Sequence, residues 1–378
     1  MELYELMAIQ LVEHSPIALQ RYMTDMSLSA DELAYLTGIS NNKINKALEE
    51  NNVFKLSQLE NIAKALYVPT VYLTTHDFFY ERNNPELIEF RNQVNISEDK
   101  YKENALVQEF CLVRDNYISV IESLDEEVQS FNLQLTGENP ELDAKLIVEY
   151  FGFYSHSKKT KNSDDYFNAW RDIVELKDVI VIDRGREKFG SDGMCLYFNA
   201  APVIAIFSSG QSPSRKLFTL IHEIVHLGLG ESVFDGHLLE SNSKLEKYCD
   251  RVAGYVVAPP QIVNESFNKA LNLEDNILLI RKKTKASKAA IAIQLKILGL
   301  INQNQLNEYL DYIKPKEGGG FGSKKENMVL KYFGHSFVEK VMSAMWQDQI
   351  SSNIAKDILG FHKKSKPSAF KELQQKVF

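Results

Sequence analysis

The sequence predicts an α+β fold: a mostly helical, multidomain chain with one small β-sheet in its second half. Three observations carry this. Apolar residues recur at helical spacing over most of the 378 residues. Three short runs, Asp178–Asp183, Gly193–Asn199 and Pro202–Phe207, are instead β-rich and separated by turn residues. A helix bearing His222, Glu223 and His226 follows directly, so the sheet has an adjacent helix to pack on.

Composition bounds the reading. With 44% hydrophobic and 25% charged residues the chain is of globular type, long enough for two or three cores. Cys111, Cys195 and Cys249 are too few and too scattered for a disulfide framework, which favours a reducing compartment. Met1 to Leu6 is acidic and lacks a basic-then-apolar leader, and no apolar run approaches membrane-spanning length. The expectation is a cytoplasmic protein with no membrane partner. Its net charge of −8 is unevenly spread. Residues 1–80 carry five basic against ten acidic residues, whereas residues 314–378 carry twelve lysines against six acids.

Residues 1–80 read as short helices. Ser29-Ala30-Asp31-Glu32 is a capping box opening a helix with Leu33, Ala34 and Leu36. Gly38 makes a turn, Ser40 caps a second helix through Lys46, and a third spans Leu56 to Leu66. The spacing L-x-x-x-E-L-A-x-x-x-G-I-S-x-x-x-I, from Leu28 to Ile44, resembles the helix-turn-helix of Cro/repressor-like (XRE-type) regulators. That resemblance implies a second helix in the DNA major groove, read through Asn42, Lys43, Asn45 and Lys46. Electrostatics pull the other way, because DNA affinity rests on neutralising phosphates and this segment is acidic. DNA contact and protein docking or dimerisation therefore both stand as expectations, a homodimer among them.

Residues 81–140 read as a helical connector, with Leu87-Ile88-Glu89-Phe90-Arg91 and then helical patterns through Leu106, Phe110, Ile118 and Leu124. Residues 141–313 hold the chemistry. Leu142–Phe153 and Tyr166–Leu176 are amphipathic helices leading into the three β-rich runs. Ser212 as N-cap and Pro213 at the first helical position then start the helix that carries H-E-x-x-H. Two imidazoles four residues apart share one helical face and can share a Zn²⁺. Glu223 between them is placed to take a proton from an attacking water.

A catalytic zinc needs a third protein ligand and one open position. The metzincin continuation is excluded, because Leu229 and Ser232 stand where Gly and His are required. A second helix, Ser243 to Ala258, is stopped by Pro259-Pro260 and places Glu246 and Asp250 on one face. A carboxylate from it would complete a His-His-Glu site of the thermolysin type. His237 is the rival ligand, and Cys249 reads better as a small buried residue than as a ligand.

The pair F-T-L-x-H-E-x-x-H-L and E-x-x-C-[ND]-x-x-A-x-x-x-x-x-P resembles the ImmA/IrrE family of zinc metallopeptidases. The resemblance implies a zincin-like catalytic domain with Zn²⁺ on His222, His226 and Glu246, and Glu223 as base. It also implies a substrate that is itself a protein partner, such as a repressor or a toxin-related protein. Two departures are visible: Val225 fills a position often small, and Asp250 stands where Asn is usual. Tyr248, Arg251 and Tyr255 are candidates to stabilise the oxyanion, and Gly193–Tyr197 or Val203–Phe207 is expected to border the cleft as the sheet's edge.

Beyond Pro260 the chain continues helical, Ser287 capping Lys288 to Leu298. Lys314 to Gly320 marks a break before residues 314–378, a basic helical unit. There Val329 to Met345 reads as one helix, and the turn at Gly360 followed by Lys363, Lys364 and Lys366 suggests a second helix-turn-helix-like pair with nucleic-acid contact.

Overall fold

The computed structural model describes residues 11–74, 87–88, 98–153, 163–185, 192–208, 211–230, 232–234, 243–313, 325–361 and 367–377. Two compact units are present: 1–84 with 93–113, and 85–92 with 114–378.

In the first unit, strand β1 (Leu11–Val12) pairs antiparallel with β2 (Phe54–Lys55) around four helices. These are α1 (Pro16–Asp25), α2 (Ala30–Thr37), α3 (Asn41–Ala47) and α4 (Leu56–Ala65), followed by a 3₁₀ turn at Thr70–Leu73. Each helix start has a local cause. Ser15 accepts from Ala18 N ahead of Pro16, and Ser29 and Glu32 form the full capping box. Gly38, at φ 68°, makes the left-handed turn between α2 and α3. Tyr22, Leu33, Ile44, Phe54, Leu59 and Ile62 close the core.

The second unit is built on a five-stranded sheet in the order β3-β7-β5-β6-β4. Its strands are β3 (Leu87–Ile88), β4 (Ile180–Asp183), β5 (Gly193–Leu196), β6 (Val203–Ile206) and β7 (Ser232–Phe234). β4 runs parallel to β6, β6 antiparallel to β5, β5 antiparallel to β7, and β7 parallel to β3. Every residue of β4, β5 and β6 is buried, so these strands read as near-continuous apolar runs rather than alternating ones, with Asp183 at the end of β4 the charged exception.

The helices of this part of the chain are α5 (Glu98–Ser123), which begins in the first unit's residues, α6 (Pro140–Phe151), α7 (Ser163–Glu175) and α8 (Pro213–Gly228). Then come α9 (Ser243–Val257), α10 (Pro260–Ser266), α11 (Leu273–Thr284), α12 (Lys288–Ile297) and α13 (Gln303–Tyr312). Helix α8 lies on β5 and β6 and against α7 and α9. Phe151, Trp170, Ile204, Leu220, Ile224, Cys249 and Val252 share one core there.

Last come α14 (Lys325–Phe333), α15 (His335–Trp346), α16 (Ser352–Ile358) and α17 (Pro367–Val377). α14 packs on β4 and α15 on α7. The buried Arg171 guanidinium donates to the carbonyls of Val181 and Lys331 and, through Nε, to Glu175 Oε1 at 2.6 Å. Glu175 also accepts from Ser336 N.

Several expectations change here. Neither Gly193–Tyr197 nor Val203–Phe207 is an edge, because β7 and β3 extend the sheet beyond β5 and β4 lies outside β6. The helix expected over Val329–Met345 is two helices broken at Gly334, φ 82°, where a Cβ would overlap the Glu175 carboxylate. No helix among the described residues is long and apolar enough to cross a membrane.

Candidate metal centre

Helix α8 begins where Ser212 Oγ accepts from Arg215 N, with Pro213 in its first turn. Its second half is wholly buried, Leu217 and Leu220 to Gly228, which fixes its rotation against the sheet. His222 is 6% exposed, Glu223 1% and His226 0%. Val225 faces inward with the core, which answers how that position is filled.

Helix α9 is held against α8 by Cys249, Val252 and Val256, and this brings Glu246 over the two imidazoles. Glu246 Oε2 stands 3.1 Å from His222 Nε2, and Oε1 stands 3.3 Å from His226 Nε2. The two Nε2 atoms are 3.2 Å apart. Ligand atoms of His222, His226 and Glu246 all lie within 4.8 Å of one another, the one such group among the described residues. On the far side of the rings, Asp250 Oδ1 is 3.1 Å from His222 Nδ1, and Cys249 Sγ 3.9 Å from His226 Nδ1.

The donor set fits a divalent metal ion. Two ring nitrogens and a carboxylate converge with their lone pairs on one point, which is unfavourable unless positive charge sits among them. Electrostatics express the same demand. Burial alone would lower the His222 pKa, but hydrogen bonds to Asp250 and Glu246 and the nearby Glu223 charge outweigh it and raise it to about 10. Burial likewise disfavours the Glu246 carboxylate, yet its bonds to His222 and His226 hold it down at about 2.

Glu223 lies against β5. A Cβ on Gly193 would overlap its carboxylate and stand 2.6 Å from Thr219 Cγ2, so a side chain there would have to displace one of them or the strand. Spacing alone gave no sign of that pairing, since Gly193 lies thirty residues earlier and is met only through the fold. Tyr248 Oη donates to Asp143 Oδ2 at 2.5 Å, a bond that with burial pushes the phenol's pKa up. Tyr255 packs against the core, and Arg251 is exposed. His237 lies outside the described residues, as do Glu89 to Arg91 and Lys363 to Lys366.

The DNA-reading candidates are on α3, in the first unit. Asn42 is exposed, Lys43 Nζ donates to Gln58 Oε1 at 2.7 Å, Asn45 bonds Asn41, and Lys46 pairs with Glu50 at 3.4 Å.

A paired-helix His-His-Glu cluster that could hold a metal ion, with a buried glutamate beside it, lies along a small mixed sheet. Residues 178–296 match the Peptidase_M78 family model, described as an IrrE N-terminal-like domain. That span runs from β4 through α12 and includes His222, Glu223, His226 and Glu246. At the level of the family it is similar to a metallopeptidase domain. No curated protein and no solved structure matches the chain.

Proposed function

We propose that the protein is a zinc-dependent endopeptidase that cleaves a regulatory protein partner, repressor-like or toxin-related. The observation that carries this is the convergence of His222, His226 and Glu246 beside a buried Glu223 that faces the strand backbone at Gly193. Zn²⁺ held by the three ligands would supply a Lewis acid and make water a nucleophile near neutral pH. His222 and His226 give their Nε2 lone pairs, and Glu246 contributes the charge that balances the cation. Glu223 takes the proton from the attacking water and returns it to the leaving amine. Its burial keeps that proton from bulk solvent.

Narrow rather than digestive proteolysis is supported by the separate first unit. We assign it to docking of the protein partner, because Lys43, Asn45 and Lys46 are already engaged within the unit and its charge is acidic. The rival reading, a non-catalytic DNA-binding regulator on a zincin-like scaffold, draws on the α2-Gly38-α3 geometry. One comparison separates them. Glu223→Gln should keep its zinc and its fold while losing cleavage of the partner by at least about 10²-fold. Full biological activity in that variant would sink the enzyme reading.

A further inference from the structure

The strand that meets Glu223 has no open side. Glu223 lies against Gly193, the first residue of β5. On one side β5 pairs with β6, from Gly193↔Ile206 to Leu196↔Val203. Its other side is where an extended peptide could add as a further strand beside the metal cluster. The chain itself fills that side. β7 pairs there antiparallel, with Phe234 opposite Met194 and Val233 opposite Cys195. β3 backs it, with Leu87 opposite Ser232 and Ile88 opposite Val233. Phe234 thus stands opposite the immediate neighbour of Gly193. Helix α8, which carries the histidines, touches β7 as well.

Both added strands are weakly held. Two ladder pairs join β7 to β5 and two join β3 to β7, against four between β5 and β6. Strands this short have little stability of their own, and the least-held elements of a fold open first. Resting on the reading of the site as a peptidase centre, we propose that β7, backed by β3, is an autoinhibitory strap. It occupies the edge of β5 on which an extended segment of the protein substrate adds, and it must leave before that segment reaches Glu223. The two strands compete for the same backbone groups of Met194 and Cys195. A strap open about one-tenth of the time weakens such binding about 10-fold relative to a bare edge.

The experiment uses the zinc-loaded full chain and two probes. Acetohydroxamate engages the metal alone, and a hydroxamate on an extended tripeptide engages the metal and the strand edge. Val233→Pro breaks a ladder on whichever side it loses its N–H, because Val233 pairs with both Cys195 and Ile88. Met194→Cys with Phe234→Cys places thiols on directly opposite residues, about 4.5–5.5 Å apart at Cα, which is within disulfide reach. Val233→Pro should bind the peptidyl hydroxamate about 10-fold more tightly than wild type and acetohydroxamate equally. The cross-linked chain should bind the peptidyl probe no better than acetohydroxamate, and recover when reduced. A peptide arm contributing equally in all three chains would overturn the proposal. If Val233→Pro shows no melting transition, the cross-linked chain decides alone, and equal affinity oxidised and reduced overturns it. A wild-type chain that binds neither zinc nor acetohydroxamate would instead overturn the metal-site reading beneath it.

Discussion

Single side chains decide the chemistry, and one constraint on the candidate site is a missing side chain. Gly193 leaves β5 bare where Glu223 lies, so Gly193→Ala must push the carboxylate away or the strand outward. Zinc content should be unchanged, because the three ligands are elsewhere. On the proposed endopeptidase reading, turnover of the protein substrate should fall by about 10²-fold, the usual cost of displacing a catalytic group by about 1 Å. Asp115 gives a pH-dependent test. Burial pushes its carboxyl up to about 6, above the unfolded value of about 3.9. Ionisation thus disfavours the folded state: the penalty is absent at low pH, grows as pH rises through that interval and is complete above it. Asp115→Asn should therefore raise the melting temperature at neutral pH and leave it nearly unchanged at about pH 4. The rise is less than burial alone implies, because the side chain is 33% exposed and Arg114 stands 3.6 Å away. Equal shifts at both values would contradict the burial argument.

At the scale of elements, the sequence was most legible where local rules and tertiary needs agree. Helix α8 has its Ser212 cap and α9 its Pro259-Pro260 stop, and both have apolar stripes, so His222, Glu223, His226 and Glu246 could be placed on helices before any contact was known. Strands β4, β5 and β6 were visible as β-rich runs. β3 and β7 were not, since two or three residues have no period and gain strand character only by pairing. The break between α14 and α15 was hidden for a different reason. Gly334 sits at positive φ inside an apolar helical pattern, and the Glu175 carboxylate that a Cβ there would overlap comes from residues far back in the chain. Gly334→Ala combines that strained backbone with overlap onto a buried ion pair, so it should cost about 3 kcal/mol or more, read from the urea midpoint. A cost below about 1 kcal/mol would mean the two helices can be joined without Glu175.

Across the whole molecule, charge distribution misleads unless it is followed to its partners. The basic C-terminal segment suggested a nucleic-acid face, but several of its described lysines are committed within the second unit. Lys331 reaches Asp183 at 3.7 Å, Lys340 pairs with Glu126, and Lys376 bonds Asn327 and lies 3.6 Å from Glu326. Lys356 stands 5.3 Å from the centre of the Phe370 ring. These helices behave as a cover for β4. A chain ending at residue 313 would strip that strand and leave the Arg171 donors to Lys331 and Tyr332 without acceptors. Each orphaned buried group costs about 1–3 kcal/mol, and an uncovered edge invites strand pairing between molecules. Size-exclusion chromatography should show aggregate instead of the full-length species. A stable, zinc-loaded truncated protein would show that the cover is dispensable.

The turn from Glu246 to Asp250 also limits how this site can change. Two contacts to His222 and the thiol beside His226 depend on the phase of one helix, and an α-helix advances about 100° per residue. A one-residue insertion between Asp250 and Val252 would swing all three groups away from the packed end of the helix together, whereas a point substitution removes only one. Metal binding should therefore respond to insertions and deletions as an all-or-none trait and to substitutions as a graded one. Chains related to this one should then vary freely in loop length between the histidine helix and α9, but keep an invariant count of residues from Glu246 to Asp250.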